Sequence, residues 1–122
     1  MPDRVSEVLA AYARGERRFH GLEIDGESFE RQVLKDVVFE DCFFYVSFRF
    51  ANLRNATFVN GNIKCCDFRD ADLSGAHFEN LSVESSQYAR AKTDGLVWTG
   101  NWAYGSISTQ EDFDSWIKDH EY

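Results

Sequence analysis

The 122-residue sequence predicts a solenoid of very short internal repeats with a short α-helix at each end. Three observations predict it. Between Ala51 and Asn80 a bulky apolar residue stands at every fifth position: Leu53, Phe58, Ile63, Phe68, Leu73 and Phe78. That period fits neither an amphipathic helix, at about 3.6 residues, nor the alternation of a half-buried strand. Two places before each bulky residue stands a small one: Ala51, Ala56, Gly61, Cys66, Ala71 and Ala76. Outside the repeats, the apolar residues return to helical spacing.

The N-terminal segment, residues 1–18, reads as a capping helix. Val5, Val8, Leu9 and Tyr12 fall on one helical face. Asp3 is placed to cap its start and Gly15 to end it.

Residues 19–100 form the repeat region. With the bulky residue called i, position i−1 holds Asn52, Thr57, Asn62, Asp67, Asp72 and His77. The unit is therefore small, polar, bulky apolar, polar, polar. It resembles the pentapeptide-repeat family, whose units read A(D/N)LXX. ANLRN and ADLSG match outright, and CDFRD and GNIKC match loosely. The resemblance implies an all-β solenoid, a right-handed quadrilateral β-helix. Each pentad would form one side of a square and four pentads one coil, with i and i−2 pointing inward.

The beat continues forward to Val83, Tyr88, Thr93 and Trp98. Backward it reaches Phe48, then resumes after a slip of one residue at Phe44, Phe39, Leu34, Phe29, Ile24 and Phe19. Leu22–Gly100 then divides into sixteen pentads, one of them the four-residue CFFY at Cys42–Tyr45, which makes four coils. In that geometry the inward residues sort into columns. The first side carries Ile24, Phe44, Ile63 and Val83, and the second Phe29, Phe48, Phe68 and Tyr88. The third carries Leu34, Leu53, Leu73 and Thr93, and the fourth Phe39, Phe58, Phe78 and Trp98, with Phe19 below. Coils one strand spacing apart, ~4.8 Å, would stack aromatic on aromatic and aliphatic on aliphatic.

Glu27 and Gln32 break the small-residue rule at i−2 in the first coil. A buried carboxylate needs a partner: Glu27 is expected to pair, with Arg17 as candidate, or the first coil is open and wet. Cys42 and Cys66 are expected inside on different sides, as small hydrophobes, and Cys65 outside.

The C-terminal segment, residues 101–122, reads as an aromatic loop, NWAYGSIS, followed by a helix beginning near Thr109, with Thr109 and Asp112 as a capping pair. Phe113, Trp116 and Ile117 lie on one helical face. Trp102, Tyr104, Phe113, Trp116 and Ile117 are candidates either for a cap on the last coil or for a homodimer contact.

Composition narrows function. The net charge is −8, from 21 acidic and 13 basic residues, which disfavours direct binding to nucleic acid or an anionic membrane. The charged N-terminus is unlike a signal peptide, and a reduced, cytoplasmic protein is expected. A filled prism offers no catalytic cleft. His20, His77 and His120 are scattered and Ser85 and Ser86 lack a base, so no enzyme activity, metal or cofactor is expected. Some members of the resembled family mimic DNA and protect DNA gyrase or topoisomerase IV. The outward charge by side is −2, +1, 0 and −3, so the acid is not continuous. The expected function is a non-enzymatic module binding another protein. A DNA-mimicking topoisomerase protector and an immunity or resistance factor against a toxin or antibiotic are the alternatives. The candidate contact patch lies around the slip, at Phe43, Tyr45 and Phe50, with Val33, Val38 and Val46 nearby.

Overall fold

The computed structural model describes residues 4–119. The chain winds as a four-sided β-helix between two helices, α1 (Arg4–Ala13) and α2 (Gln110–Asp119). The fourth side is a parallel sheet of β1 (Arg18–His20), β3 (Val38–Glu40), β5 (Thr57–Val59), β6 (His77–Glu79) and β7 (Val97–Thr99). Phe19, Phe39, Phe58, Phe78 and Trp98 stand in register across it. On the first side β2 (Glu23–Ser28) pairs with β4 (Phe43–Ser47). Parallel bridges then carry the ladder on through Asn62 and Ser82 to Trp102.

Each slot of the pentad has a physical reason. The residue two after i has positive φ, between 54° and 65° at the non-glycine positions from Arg31 to Arg90. On the second and third sides the next N–H bonds back to the carbonyl of i, as Ala56 to Leu53 at 3.0 Å and Ala71 to Phe68 at 3.1 Å. Each such corner is thus a β-turn with a left-handed third residue. At i−1, the Oδ1 atoms of Asn52, Asn62, Asp67 and Asp72 accept the N–H two residues on, at 2.8–3.1 Å, which steadies the turn. The small i−2 residue leaves room inside. At Gly61 there is none to spare, because a Cβ would run into the carbonyl oxygen of Cys42 in the coil below.

The ladders stand as the columns predict. Phe29, Phe48, Phe68 and Tyr88 stack with centroids 5.1, 5.0 and 5.3 Å apart and ring planes within 4°. The fourth side meets them edge to face, as Phe58 against Phe68 at 86°. Leu34, Leu53 and Leu73, with Ile24, Phe44, Ile63 and Val83, complete the buried core. Thr93, at the top of its column, is only partly covered. The slip also lies where the beat places it. Asp25 pairs with Tyr45 and Glu27 with Val46, so Gly26 has no counterpart. Gly26 is a left-handed corner residue, φ 74°; the second coil omits that corner.

The ends differ from expectation in two respects. Glu27 pairs with α1, not with Arg17: its Oε1 accepts the Val5 N–H at 3.0 Å. A helix N-terminus offers unpaired N–H groups and partial positive charge, which suits a carboxylate. Arg17 instead lies over the Tyr12 ring at 3.7 Å and donates to the Tyr12 carbonyl. The start of α1 at Asp3 lies outside the described residues, whereas Gly15 ends the helix as expected, through Gly15–Tyr12 and Glu16–Ala11 backbone bonds.

Second, the solenoid does not stop at Gly100. β8 (Asn101–Ala103) adds one more rung to the first side, and NWAYGSIS is a hairpin with β9 (Ser106–Ser108), not a loop. Asn101 occupies an inward i−2 slot with no exposure. It is not a small residue, but its amide is satisfied there: Nδ2 donates to the Phe78 carbonyl at 2.8 Å and Oδ1 accepts the Leu81 N–H at 3.0 Å. Of the two roles left open for α2, its aromatic face takes the cap on its own last coil. Phe113 stacks on Trp98 at 4.2 Å and meets Tyr88 edge-on, where Trp116 joins it. Ile117 packs beside them. Thr109 and Asp112 exchange the expected capping bonds, at 3.0 and 3.1 Å.

Candidate protein-contact surface

A filled prism meets other molecules through its four outer sides, so the outward residues decide what it can bind. Most are polar. Among the described residues, the exposed large apolar ones are Val33, Phe43, Tyr45, Phe50, Trp102, Tyr104 and Ile107. Register places five of these seven on one side. Phe43 and Tyr45 flank Phe44 in the second coil. Trp102 and Tyr104 flank Ala103 three rungs higher, through the bridges Phe43–Asn62–Ser82–Trp102. Ile107 pairs with Trp102 on β9. Phe43 is 53% and Tyr45 59% exposed, Trp102 43% and Tyr104 75%.

Between the two aromatic pairs lie Asn62 and Ser82 in one outer column and Lys64 and Glu84 in the other. Lys64 Nζ lies 3.7 Å from Glu84 Oε2. Glu84 also accepts the Tyr104 N–H at 2.9 Å, and the Tyr104 hydroxyl meets Ser85 Oγ at 2.8 Å. These bonds fasten the hairpin to the coil beneath. A shallow groove of about 470 Å³ runs beside Phe43 and Tyr45, with Glu23, Asn62 and Lys64 on its walls.

Two residues expected in the patch lie elsewhere. Val46 is buried, because loss of the corner residue makes it the inward i−2 partner of Phe48. Phe50 is exposed but sits at the far corner of the second side, under the guanidinium groups of Arg31 at 4.5 Å and Arg49 at 5.3 Å. The slip therefore does not gather one cluster of three rings. Trp102 and Tyr104 join Phe43 and Tyr45 instead, a grouping hidden as long as the coil count stopped at Gly100.

The second side is an ionic lattice. Asp70 lies between Arg90, at 2.7 Å, and Arg49, at 3.2 Å. Asp67 pairs with Arg69 at 2.7 Å. The hydrogen bond from Arg90, with that from Arg49, holds the Asp70 carboxyl below the usual carboxylate range despite partial desolvation. Burial pushes Asp67 upward, but the hydrogen bonds and charge of Arg69 outweigh it and leave it lowered too. These arginines are spent on neighbouring carboxylates.

The inner thiols Cys42 and Cys66 are free and buried, and burial pushes Cys66 up to about 12. Cys65 is exposed. The histidines are less scattered than their spacing suggests. Winding brings His20 beside Asp41, Nε2 to Oδ2 at 2.7 Å, with Glu40 adjoining. This solvent-facing group already holds a positive neighbour, Arg18, 4.0 Å from Glu40, and it reads as a surface ion-pair cluster. His77 lies 3.5 Å from Glu79, and His120 lies outside the described residues. Ser86 Oγ donates to the Val83 carbonyl and accepts from the buried Tyr88 hydroxyl; no base is placed to activate it. No helix among the described residues is long and apolar enough to cross a membrane.

Residues 42–80 match the profile of pentapeptide repeats, in 8 copies. No match was found among curated proteins. Among solved structures, a pentapeptide-repeat protein from the cyanobacterium Cyanothece is similar at 14% identity and a TM-score of 0.41, over 73% of this chain and 85% of the other. QnrB1, a plasmid-mediated fluoroquinolone resistance protein, is similar at 20% identity and a TM-score of 0.45, over 69% of this chain and 56% of the other. A pentapeptide-repeat protein of the Arabidopsis thaliana thylakoid lumen is similar at 18% identity and a TM-score of 0.36, over 85% and 76%.

Proposed function

We propose that this chain, whose residues 42–80 match the profile of pentapeptide repeats, is a non-enzymatic module that binds another protein through its first side. The observation that carries this reading is the concentration of Phe43, Tyr45, Trp102, Tyr104 and Ile107 on one outer side of an otherwise polar prism. Aromatic residues displayed in a contiguous area mark contact sites. The core supports a binding role rather than a catalytic one, since it is filled by stacked rings. The free thiols suit a reducing compartment, and the cytoplasm is the proposed location.

A second reading, protection of DNA gyrase or topoisomerase IV by DNA mimicry, draws on the net charge of −8. The arginines interleaved with Asp67 and Asp70 on the second side speak against it, because a DNA mimic needs continuous negative potential. A supercoiling assay with a fluoroquinolone and the purified chain reads that possibility directly.

The first reading is tested by capture from native cytosol with the wild-type chain and with Phe43→Ser/Tyr45→Ser. Both rings face solvent, so the circular dichroism of the variant should match the wild type. A protein captured by the wild type and lost from the variant is the expected result. Undiminished capture by a folded variant would remove the first side as the contact surface.

A further inference from the structure

The first side is self-complementary, and we propose that it pairs with the first side of a second copy in an antiparallel, two-fold dimer. The inference rests on the reading of that side as a contact surface and names its occupant.

Six rungs make up the side. In the i−1 column they are Glu23, Phe43, Asn62, Ser82, Trp102 and Ile107. The i+1 column holds Asp25, Tyr45, Lys64 and Glu84, whereas Tyr104 turns at left-handed φ toward the Ser85 corner. A two-fold axis along the strand direction, between the Lys64 and Glu84 rungs, inverts the solenoid axis and keeps the columns. Phe43 then meets Trp102 of the second copy, with Tyr45 beside the pair. Lys64 meets Glu84, and Asn62 meets Ser82. Lys64 and Glu84 already lie 3.7 Å apart within one chain. The two copies therefore close a four-membered ring of alternating charge, with an aromatic cluster on either side of it.

The acids at the first rung fit this arrangement. Glu23 and Asp25 of the two copies fall at opposite ends, at the rim, one against Ile107 and neither against another acid. The alternative two-fold, with solenoid axes parallel, would set Glu23 against Asp25 and leave Lys64 opposite Asn62. Like charges across a contact are costly, so charge selects the antiparallel arrangement. Six rungs at ~4.8 Å span about 25 Å, and the contact is only one side wide. That is less than the roughly 800 Å² per partner of a standard interface, so dissociation belongs in the micromolar range.

Sedimentation of the full chain from low to high micromolar concentration is the test, with two charge-reversal variants. Lys64→Glu places only acids around the axis, and Glu84→Lys places only bases. Each alone should weaken self-association by at least about tenfold. Mixed, they restore opposite charges at every 64–84 contact, and a heterodimer of near wild-type affinity should form. Glu84 also accepts the Tyr104 N–H, so its reversal can loosen the hairpin. The pair Phe43→Glu and Trp102→Lys repeats the design without touching that bond. A wild-type chain that stays monomeric at high micromolar concentration overturns the dimer. So does a dimer that neither complementary mixture restores. Sedimentation reads self-association alone, whereas loss of a captured protein on Phe43→Ser/Tyr45→Ser reads the contact surface. A monomer that still loses its captured protein fails only the dimer.

Discussion

At the scale of single residues, the pentad is a compromise between a narrow interior and a tight corner. Its bulky member fills the core, and its neighbour two places earlier must leave room. Gly61 is the extreme case, lying against the Cys42 carbonyl, which accepts the Asn62 N–H at 2.9 Å. Gly61→Ala should therefore destabilise the fold even though alanine fills the same slot at Ala51, Ala56, Ala71 and Ala76. Strain from overpacking typically costs ~1–3 kcal/mol, and the denaturation midpoint should fall accordingly. A midpoint equal to wild type would show that the coils can separate at no cost there. The corner position has its own chemistry: Asn, Asp and Gly tolerate the left-handed region better than other residues. Asp36, Asp41, Asn55, Asn60, Asp70, Asn80 and four glycines follow that rule. Arg31, Phe50, Cys65, Ser85 and Arg90 do not, so corner chemistry alone does not delimit the repeat.

At the scale of elements, the caps show what a solenoid needs and how far sequence reveals it. The helical faces of α1 and α2 were legible because helical spacing contrasts sharply with the beat of five. Docking was less so. Glu27 looked like an intruder in the core but is the acceptor for the start of α1, a pairing that only the closeness of the two ends reveals. The hairpin was illegible because Asn101 violates the small-residue rule and is satisfied by two hydrogen bonds that sequence does not show. α2 contributes one deep anchor, Phe113. Phe113→Ala should release the helix, since truncating a buried Phe costs ~3–5 kcal/mol and repeat proteins depend mainly on nearest neighbours. Hydrogen exchange should then rise across residues 110–119 and stay slow at Phe48 and Phe68. A uniform rise through the whole chain would show instead that the cap and the coils form one cooperative unit.

At the scale of the whole molecule, the ladders were fully legible because sorting into columns of twenty is a strong constraint. The grouping of contact residues was only half legible: Phe43 and Tyr45 stood out as apolar residues in polar slots, whereas Trp102 and Tyr104 needed the fifth rung. The ion pairs on the second side, with Asp72 and Arg54 on the third, give the molecule a pH dependence. Asp67, Asp70 and Asp72 all have carboxyls lowered in the folded state. Their contribution is present above the unfolded value of about 3.9 and is lost as pH falls through the folded values. Thermal stability should hold near neutrality and drop below about pH 4, modestly because these pairs are partly exposed. Asp70→Asn should drop less steeply, and an unchanged slope would remove that carboxylate from the account. The omitted corner has a consequence of another kind. A screw of identical threads can be assembled one turn out of place, with only the two ends to report the error. Here, on the fourth side, the pairing offset is 20 residues from β1 to β3, 19 from β3 to β5, and 20 above. The native stack sets the four-residue edge against the Gly26 corner, and a chain threaded one turn out would move that mismatch to a corner not shaped for it. The missing residue works as a keyway, admitting one alignment of the coils and rejecting its neighbours.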